Sequence, residues 1–516
     1  MRPAPDHEPP SGRSPIFWLL LLLGVALRSL DLFDPWSGVG FKSAFGTYTT
    51  GLFARNFFEH GFLESGLMPY YWRVELADGQ VLREWYTHHP PLYALITGAS
   101  MRLFGTAEWA SRLPWLLLST WSMFAVHRFA ALACGRRVAL FAHAVYAVVP
   151  LSAWYATMLY TDAAVVGLFA VIASHHLLWL RGGERRHVAI ATLCYFLGGM
   201  LDWPIVFLLP GLGLIALGQL WQRRSIAPVA PLVVYVGAIA AALVVHRLHM
   251  QAVLNAEEAS SDTAATLAWV TRLPVPLGEF LGDQLRHART YVTTPMLVAV
   301  AAGGVWLLAT RAIPPAARAV TAALALPGPL YIAAFPGRSY NHDFFLFMSL
   351  PFIALAAGYL LARLTEAGRV GWQRGLGLAS CAVLLGWSVF QMLELRERNS
   401  ASTVADVVAQ PWLAELLEDE RAVLLVPSGR CLSLPYYSSA PMVLQVDTPG
   451  QLEAWRHRIV DQLEPDRRAV FLLDALAAIA FPELREYLIA HAPAERHNEV
   501  ENFELGVFDL RAWQGD

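Results

Sequence analysis

Long apolar runs separated by short polar connections make up most of the chain. Runs such as AAVVGLFAVIASHHLLWL and VAPLVVYVGAIAAALV approach the roughly 20 residues with which an α-helix crosses the hydrocarbon core of a bilayer. The pattern therefore predicts a polytopic α-helical membrane protein. About eleven transmembrane helices are predicted, at 16–33, 112–133, 138–157, 163–180, 188–202, 204–221, 227–246, 295–310, 319–335, 344–362 and 375–393.

The connections between these spans fall into two alternating groups. One group is short and rich in arginine, as in GRR at 135–137 and RGGERR at 181–186, which is typical of cytoplasmic loops. The other group is longer or carries acidic residues, as in 34–111, 247–294 and GRSYNHD at 337–343. The alternation places the polar, proline-rich N-terminus in the cytoplasm and the C-terminal region outside.

The apolar segment 90–105 is short for a transmembrane helix. If it crossed the membrane, every later loop would change sides and the basic loops would face outward. It is therefore predicted to be a helix at the outer interface, beginning at Pro90 and Pro91. Segments 43–60 and 277–292 are predicted to be further interfacial helices, the second of them amphipathic.

The composition changes after Leu393. Predicted strands at 421–427, MVLQV, 468–474 and FELGVFDL alternate with predicted helices, which indicates a small α/β domain with a mostly parallel sheet. The predicted organisation is a disordered N-terminus at 1–14, a transmembrane domain at 15–393 with outer loops 34–111 and 247–294, and an extracytoplasmic α/β domain at 394–516.

Composition supports the membrane assignment and excludes several other classes. Hydrophobic residues make up 56% of the chain and charged residues 15%, against about a quarter in soluble proteins. The four cysteines, most of them in or beside apolar runs, imply no disulfide framework. No CxxC, HExxH, P-loop or GxGxxG motif is present, and nothing indicates a nucleic-acid partner. A single lysine among the 38 basic residues suggests a GC-rich bacterial genome.

Ionisable residues from distant parts of the chain collect at the predicted outer ends of the spans. Ionisable residues at membrane depth are energetically costly and usually belong to a functional site, although the solvated ends of loops also tolerate single charges. A site on this face would bind a lipid-linked substrate from the outer leaflet, and the phosphate of that substrate could pair with Lys42 or Arg338. The set comprises Asp31, Asp34, Lys42, His88, His89, Asp162, Asp202, Arg338, His342 and Asp343.

An ordered series of motifs resembles a known family. The series is ARNFFEHG (54–61), THHPPLYALITGASMRLFG (87–105), SRLPWLL (111–117), CGRRVALFAHAVYAVVPLSAWYATMLYTDA (134–163), GGMLDWPIVFLLPGL (198–212) and RSYNHDFFLFMSLPFIALAAG (338–358). It resembles the membrane glycosyltransferases of the GT-C fold, in the bacterial branch related to protein O-mannosyltransferases and the lipid A aminoarabinose transferase (glycosyltransferase family 39-like). The resemblance covers about residues 15–365.

The resemblance implies a function and a location. The expected reaction transfers a sugar from a polyprenyl-phosphate donor to a lipid, glycan or protein acceptor on the outer face of the bacterial cytoplasmic membrane. The donor is a substrate, so no resident cofactor is expected. The expected partners are membrane lipid and the lipid-linked donor, and the sequence leaves the oligomeric state open.

The chain departs from the family pattern at the catalytic acid. The family carries an acid eight positions before the Ala-Arg-Asn stretch, where this chain has Gly46. The second acidic position is kept as Asp162, and Asp202 stands where many relatives have a lysine. Inverting transfer needs a carboxylate or histidine near the acceptor hydroxyl. Asp34 is the first choice for this base, with Asp162, Asp202 or a histidine as alternatives.

The other site predictions concern substrate binding. Contact with the substrate is predicted for Lys42, His88, His89, Arg338 and His342. A metal site built from His88, His89, His342 and Asp343 is conceivable but not favoured, because adjacent His–His and His–Asp pairs lack the usual helical spacing of ligands. Two other functions stay open: a catalytically silent relative that binds lipid-linked glycans or assists a partner enzyme, and a transporter of lipid-linked glycans. The transporter is disfavoured because the chain shows no inverted repeat.

Overall fold

The computed structural model describes residues 15–33, 45–159, 161–254, 271–342, 345–366, 371–399, 422–425, 442–443, 446, 448–463, 468–474, 482–491, 494–500 and 503–510. The chain divides into two compact units. The first contains Met1–Phe33, His88–Leu92 and Arg112–Arg398, and the second contains Asp34–Thr87, Tyr93–Ser111 and Asn399–Asp516.

Nineteen helices are described, together with short 3-10 turns at Tyr155–Thr157, Trp203–Leu208, Ala227–Val229, Phe345–Ser349 and Val460–Gln462. In chain order the helices are α1 (Pro15–Arg28), α2 (Phe45–His60), α3 (Leu92–Phe104), α4 (Glu108–Cys134), α5 (Arg136–Val148), α6 (Pro150–Trp154), α7 (Asp162–Gly182), α8 (Arg185–Leu201), α9 (Leu209–Arg223), α10 (Ala230–Val253), α11 (Leu277–Tyr291), α12 (Thr294–Ala309), α13 (Pro315–Ala323), α14 (Pro327–Ala334), α15 (Pro336–Asn341), α16 (Leu350–Glu366), α17 (Gly371–Asn399), α18 (Pro449–Arg458) and α19 (Pro482–His491).

The prediction of a polytopic helical membrane protein is confirmed. Within the described residues, seven helical stretches are long and apolar enough to cross a membrane, and two bent helix pairs raise the number to nine. The predicted total of about eleven stays a prediction. The seven stretches are Glu108–Cys134, Ala163–Gly182, Trp203–Gln222, Ala227–Val253, Pro315–Ala334, Phe345–Glu366 and Arg374–Glu397.

The core of the first unit forms around α16, which packs against α5 and α12. Small residues allow this close approach. A Cβ added at Gly358 would lie 2.4 Å from the backbone nitrogen of Ala142, and one at Gly303 would lie 2.0 Å from the carbonyl oxygen of Ala356. Van der Waals packing at small residues is the main source of helix association in lipid, where burial of apolar side chains adds little.

The amphipathic helix predicted at 277–292 is present as α11. Leu277, Leu281 and Leu285 are exposed along one side at a spacing of four residues, whereas Phe280 is buried. After a break at Thr293, α11 is bent by 97° from the apolar helix α12. A perpendicular pair of this kind fits one helix across the membrane and one along its surface.

The second unit begins with α2 and a β-hairpin that the sequence analysis did not predict. Strands β1 (Tyr70–Glu75) and β2 (Val81–Trp85) pair antiparallel. The Trp72 and Trp455 rings meet edge to face at 5.3 Å, and the Ala77 N–H donates to the carbonyl of Gln462 at 3.2 Å. The hairpin therefore joins the first outer loop to the C-terminal region, whereas the sequence analysis assigned that loop to the transmembrane domain.

The predicted interfacial segment 90–105 is present as α3. Its 13 residues rise about 20 Å, less than the roughly 30 Å of a hydrocarbon core. Within the second unit, the Ser100 hydroxyl donates to the carbonyl of Ala110 at 2.6 Å, and Gly98 lies against Phe57 and Phe62. The helix is thus fixed by packing on its own loop, as expected for a segment that does not cross.

The C-terminal sheet is mixed rather than mostly parallel. Its described strands are β3 (Ala422–Leu425), β4 (Met442–Val443), β5 (Arg468–Asp474), β6 (Ala494–Val500) and β7 (Phe503–Asp509), in the spatial order β4-β3-β5-β7-β6. Pairings of β3 with β4 and β5 are parallel, whereas β7 is antiparallel to β5 and β6. The prediction was wrong because the polar strand β6, AERHNEV, lacks an apolar strand pattern. The helix predicted at VADVVAQPWLAELLE lies outside the described residues.

Candidate functional site

Asp202 occupies a sharp corner between α8 and the 3-10 turn at Trp203–Leu208. Its backbone is extended, with φ −167° and ψ 158°, and Pro204 follows within the turn. The residue is 5% exposed, and its carboxylate accepts hydrogen bonds from the backbone N–H of Trp203 at 2.7 Å and from the Thr161 hydroxyl. Asp202 therefore caps the start of the turn and joins it to the start of α7.

The His88–His89 pair lies on this corner. The Nε2 atom of His89 is 3.5 Å from the Oδ1 atom of Asp202. The indole N–H of Trp203 donates to the carbonyl of His88 at 2.8 Å. Pro90 and Pro91 fix the backbone that follows the two histidines. The polar, proline-containing segment before α3 is thereby held against the corner at Asp202, which is more than a hundred residues away in sequence.

Two further residues approach the pair from other helices. The buried His246 ring on α10 is 6.1 Å from the Trp203 ring. Arg338, on the short helix α15, acts electrostatically on both Asp202 and His89, and its guanidinium is 5.9 Å from the Phe345 ring. A carboxylate, two imidazoles and a guanidinium thus converge from four separate segments.

This environment sets the protonation of the pair. Burial raises the pKa of the Asp202 carboxyl, against the opposing effects of the Arg338 charge, the Thr161 hydroxyl and the Trp203 N–H. Burial lowers the pKa of His89 well below its usual value, and the charges of Arg338, His88 and His246 lower it further. At neutral pH the imidazole is therefore uncharged, and the carboxyl takes up a proton more readily than an exposed one. Such a pair suits general acid–base chemistry.

A second set of contacts lies at the end of α1. The Oδ1 atom of Asp31 accepts a hydrogen bond from the Thr157 hydroxyl at 2.9 Å. The Arg112 guanidinium donates to the backbone carbonyls of Asp31 and Leu32. These contacts fix the residues that follow the first helix against α4 and against the segment that leads to Thr161.

The sequence analysis predicted three possible catalytic carboxylates and five substrate-binding residues. Of these eight, the structure brings together His88, His89, Asp202 and Arg338. His342 contacts the Phe345 ring at 5.6 Å, the same ring that Arg338 approaches. Asp162 is the first residue of α7, and the position of its side chain is not described. Asp34 and Lys42 lie outside the described residues, as does Asp343, so their roles stay predictions.

Sequence reasoning missed the roles of Thr161 and His246. Thr161 lies in the Thr-Asp-Ala stretch, but only its acidic neighbour was considered. His246 lies inside the apolar helix α10, where an ionisable residue is itself a signal of function. Within the described part of the chain, no group of three or more His, Cys, Asp or Glu side chains is placed to hold a metal ion.

The comparisons with known proteins agree on the architecture. Residues 88–248 match the family model of dolichyl-phosphate-mannose-protein mannosyltransferase. The comparison with curated protein sequences gives no match. The solved structure of ArnT from Cupriavidus metallidurans bound to undecaprenyl phosphate is 13% identical, with a TM-score of 0.66 over 96% of this chain and 98% of that chain.

Archaeal structures extend the similarity. The apo form of the Archaeoglobus fulgidus oligosaccharyltransferase is 10% identical, with a TM-score of 0.58 over 95% of this chain and 74% of that chain. The same organism's AglB, in complex with an inhibitory peptide and a dolichol-phosphate, is 12% identical with a TM-score of 0.54 over the same shares. The predicted resemblance is therefore confirmed: residues 88–248 match a protein mannosyltransferase family, and the chain as a whole has the GT-C fold of multi-pass membrane glycosyltransferases.

Proposed function

We propose that this protein transfers a sugar from a polyprenyl-phosphate donor to a lipid, glycan or protein acceptor on the outer face of the bacterial cytoplasmic membrane. The GT-C fold supports a membrane glycosyltransferase in general. Two proteins of the same fold have been solved with lipid phosphates, undecaprenyl phosphate in ArnT and dolichol-phosphate in AglB. The alternation of basic and acidic loops supports an outer location for the site.

The Asp202–His89 pair is the observation that carries the proposal. In the expected reaction the acceptor oxygen bonds to the anomeric carbon of the sugar. The bond between that carbon and the phosphate oxygen breaks, and the phosphate leaves with the electron pair. The acceptor hydroxyl proton passes to a base within hydrogen-bond reach. His89 or Asp202 would take this proton, and each would orient the other, as in other carboxylate–imidazole pairs.

Arg338 would serve the leaving phosphate. A guanidinium can donate two parallel hydrogen bonds to phosphate oxygens, and it stabilises the charge that develops as the phosphate departs. Its electrostatic effect on Asp202 and His89 supports a site in which Arg338 binds the phosphate close to the base. Lys42, His88 and His342 remain candidates for further substrate contacts, and Asp34 and Asp162 remain alternative bases.

The proposal is tested with purified protein in vesicles that contain radiolabelled polyprenyl-phosphate sugars and a membrane extract. Transfer of label to a lipid, glycan or protein acceptor is expected, together with release of polyprenyl phosphate. Tight binding of the labelled donor without any transfer would favour the catalytically silent relative. Movement of the donor between leaflets without transfer would favour the transporter.

The orientation is tested by labelling engineered cysteines in intact spheroplasts with a reagent that does not cross membranes. Asp78→Cys, at the exposed tip of the β1–β2 hairpin, is expected to react from outside. Glu184→Cys, in the exposed loop between α7 and α8, is expected to react only after the membrane is opened. The reverse pattern would place the site on the cytoplasmic face and overturn the proposed use of an outer-leaflet donor.

A further inference from the structure

Arg28 is a buried cation in the first helix, and three of its hydrogen bonds go to residues on either side of a break in another helix. Helices α5 and α6 are bent by 59° at Val149, which has extended backbone angles of φ −61° and ψ 127°. We propose that Arg28 is a positioning residue. It stabilises this break, and the break directs Thr157 to Asp31 and Thr161 to Asp202. This inference rests on the proposed function, because it concerns the same site.

The break takes away the helical partners of the backbone carbonyls of Tyr146 and Ala147. In an uninterrupted helix, residue 150 would donate its N–H to the carbonyl of Tyr146, and residue 151 would donate to that of Ala147. Residue 150 is proline, which has no N–H, and the extended conformation of Val149 directs the following residues elsewhere. Unsatisfied carbonyls within a bilayer cost several kcal/mol each.

Arg28 supplies the missing donors. Its Nη2 atom donates to the carbonyl of Tyr146 at 2.9 Å, and its Nη1 atom donates to that of Ala147 at 2.9 Å. The guanidinium also donates to the Ser152 hydroxyl, on the far side of the break. One planar guanidinium therefore forms hydrogen bonds with the end of α5 and with the start of α6. Its five N–H donors, in a fixed fork, suit this arrangement.

The remaining bonds fix the guanidinium itself. Nε donates to the Ser119 hydroxyl at 3.1 Å, and Nη1 also donates to the carbonyl of Gly24 at 3.1 Å. The side chain is fully buried, and the Tyr146 ring lies 5.5 Å from its central carbon. A buried arginine in a span is expensive, and its cost is offset here by oxygen acceptors that would otherwise be unsatisfied.

The break directs the chain into the site. After α6 the Thr157 hydroxyl donates to Asp31, which is three residues after Arg28. The chain then reaches Thr161, whose hydroxyl donates to Asp202 beside His89. The end of the first helix therefore holds the connecting segment at two points, at the break and at Thr157. If the break closed or rotated, Thr161 would move away from Asp202.

The first experiment measures this geometry without any catalytic activity. In a background with the four native cysteines replaced by alanine, Asp31→Cys and Thr157→Cys are joined with a short bis-methanethiosulfonate linker. Efficient cross-linking is expected with Arg28 present, and its loss is expected in Arg28→Met. Arg28→Lys keeps the charge but can reach fewer carbonyls, so an intermediate yield is expected. It also keeps the test valid if Arg28→Met does not fold.

The second experiment measures turnover and its pH dependence. Arg28→Met is expected to lower turnover by about 10²-fold, the loss that a small misplacement of catalytic groups can cause. Ser119→Ala is the matched control, because it removes one bond to the guanidinium away from the break, and near-normal turnover is expected.

The acid limb of the pH–rate profile separates positioning from general stability. The Thr161 hydrogen bond lowers the pKa of Asp202, as does Arg338, while His89 faces the same carboxylate. Loosening Thr161 should therefore move the acid limb to higher pH in Arg28→Lys, in the same direction as in Thr161→Val. Undiminished cross-linking in both Arg28 variants would overturn the inference. If the parent protein transfers no sugar, the proposed function fails and the cross-linking result alone decides the role of Arg28.

Discussion

Asp202→Asn is expected to lower turnover by about 10²–10⁴-fold, the usual cost of removing a general base, while donor binding and membrane insertion stay intact. Asparagine has nearly the same shape, and its single carbonyl oxygen can keep the bond from the Trp203 N–H while its NH2 group donates to the Thr161 hydroxyl. It cannot take up a proton, and because it is uncharged it no longer stabilises a positive charge on His89. His89→Gln is expected to cause a loss of similar order, because the two side chains act as a unit.

The pH profile gives an independent check on this assignment. The pKa of Asp202 is raised by burial, so the ionised form is lost at a higher pH than for an exposed carboxyl as the pH falls. The wild-type rate is therefore expected to fall on the acid side at a pH above the usual range for aspartate, and this limb should disappear in the residual activity of Asp202→Asn. The comparison uses kcat/KM, which reports the free enzyme.

Two further variants distinguish the possible bases. Asp78→Asn changes an exposed carboxylate at the tip of the hairpin and serves as the matched control, with no change in turnover expected. Asp34→Asn tests the base favoured by the sequence analysis. Near-normal turnover in Asp202→Asn together with a large loss in Asp34→Asn would move the base to the first outer loop and leave Asp202 as a capping residue.

Gly358→Ala is expected to destabilise the transmembrane unit by about 1–3 kcal/mol, the usual cost of overpacking a well-packed core. The added methyl group would lie 2.4 Å from the backbone nitrogen of Ala142, and backbone cannot move aside as a flexible side chain can. Ala354, Gly358 and Ala362 recur at a spacing of four on α16, which is the small-residue pattern of close helix pairs in membranes. Helices α5 and α16 would have to separate.

The measurement is unfolding of the purified protein in detergent, followed by intrinsic tryptophan fluorescence. Gly237→Ala is the matched control, since its helix α10 offers open space around the added Cβ. Alanine is the better helix former by about 0.5–1 kcal/mol, so the control should be unchanged or slightly stabilised. Gly358→Ala is therefore expected to be less stable than the parent protein, and Gly237→Ala is not. Equal stability of the two would mean that the contact between α5 and α16 is looser than the structure indicates.

The sequence by itself determined the class of protein and supplied candidate residues for the site. Hydropathy and loop charge are local properties, so they predicted the helices, the interfacial segments α2, α3 and α11, and the set of ionisable residues at the outer ends. Both His89 and Asp202 belonged to that set. The order of the motifs identified the GT-C fold, because an ordered series of weak motifs survives where overall identity is low.

Only the tertiary structure decided which members of that set meet. Trp203 and His88 are 115 positions apart, and Arg28 and Ala147 are 119 positions apart. Such contacts depend on how helices pack, which no periodicity along one helix encodes. Arg28 illustrates this: in the sequence it is a charge in an apolar run, and only the break at Val149 shows which carbonyls it satisfies. The hairpin at 70–85 and the strand β6 were missed for the same reason, because pairing with a neighbouring strand stabilises them more than their own apolar pattern does.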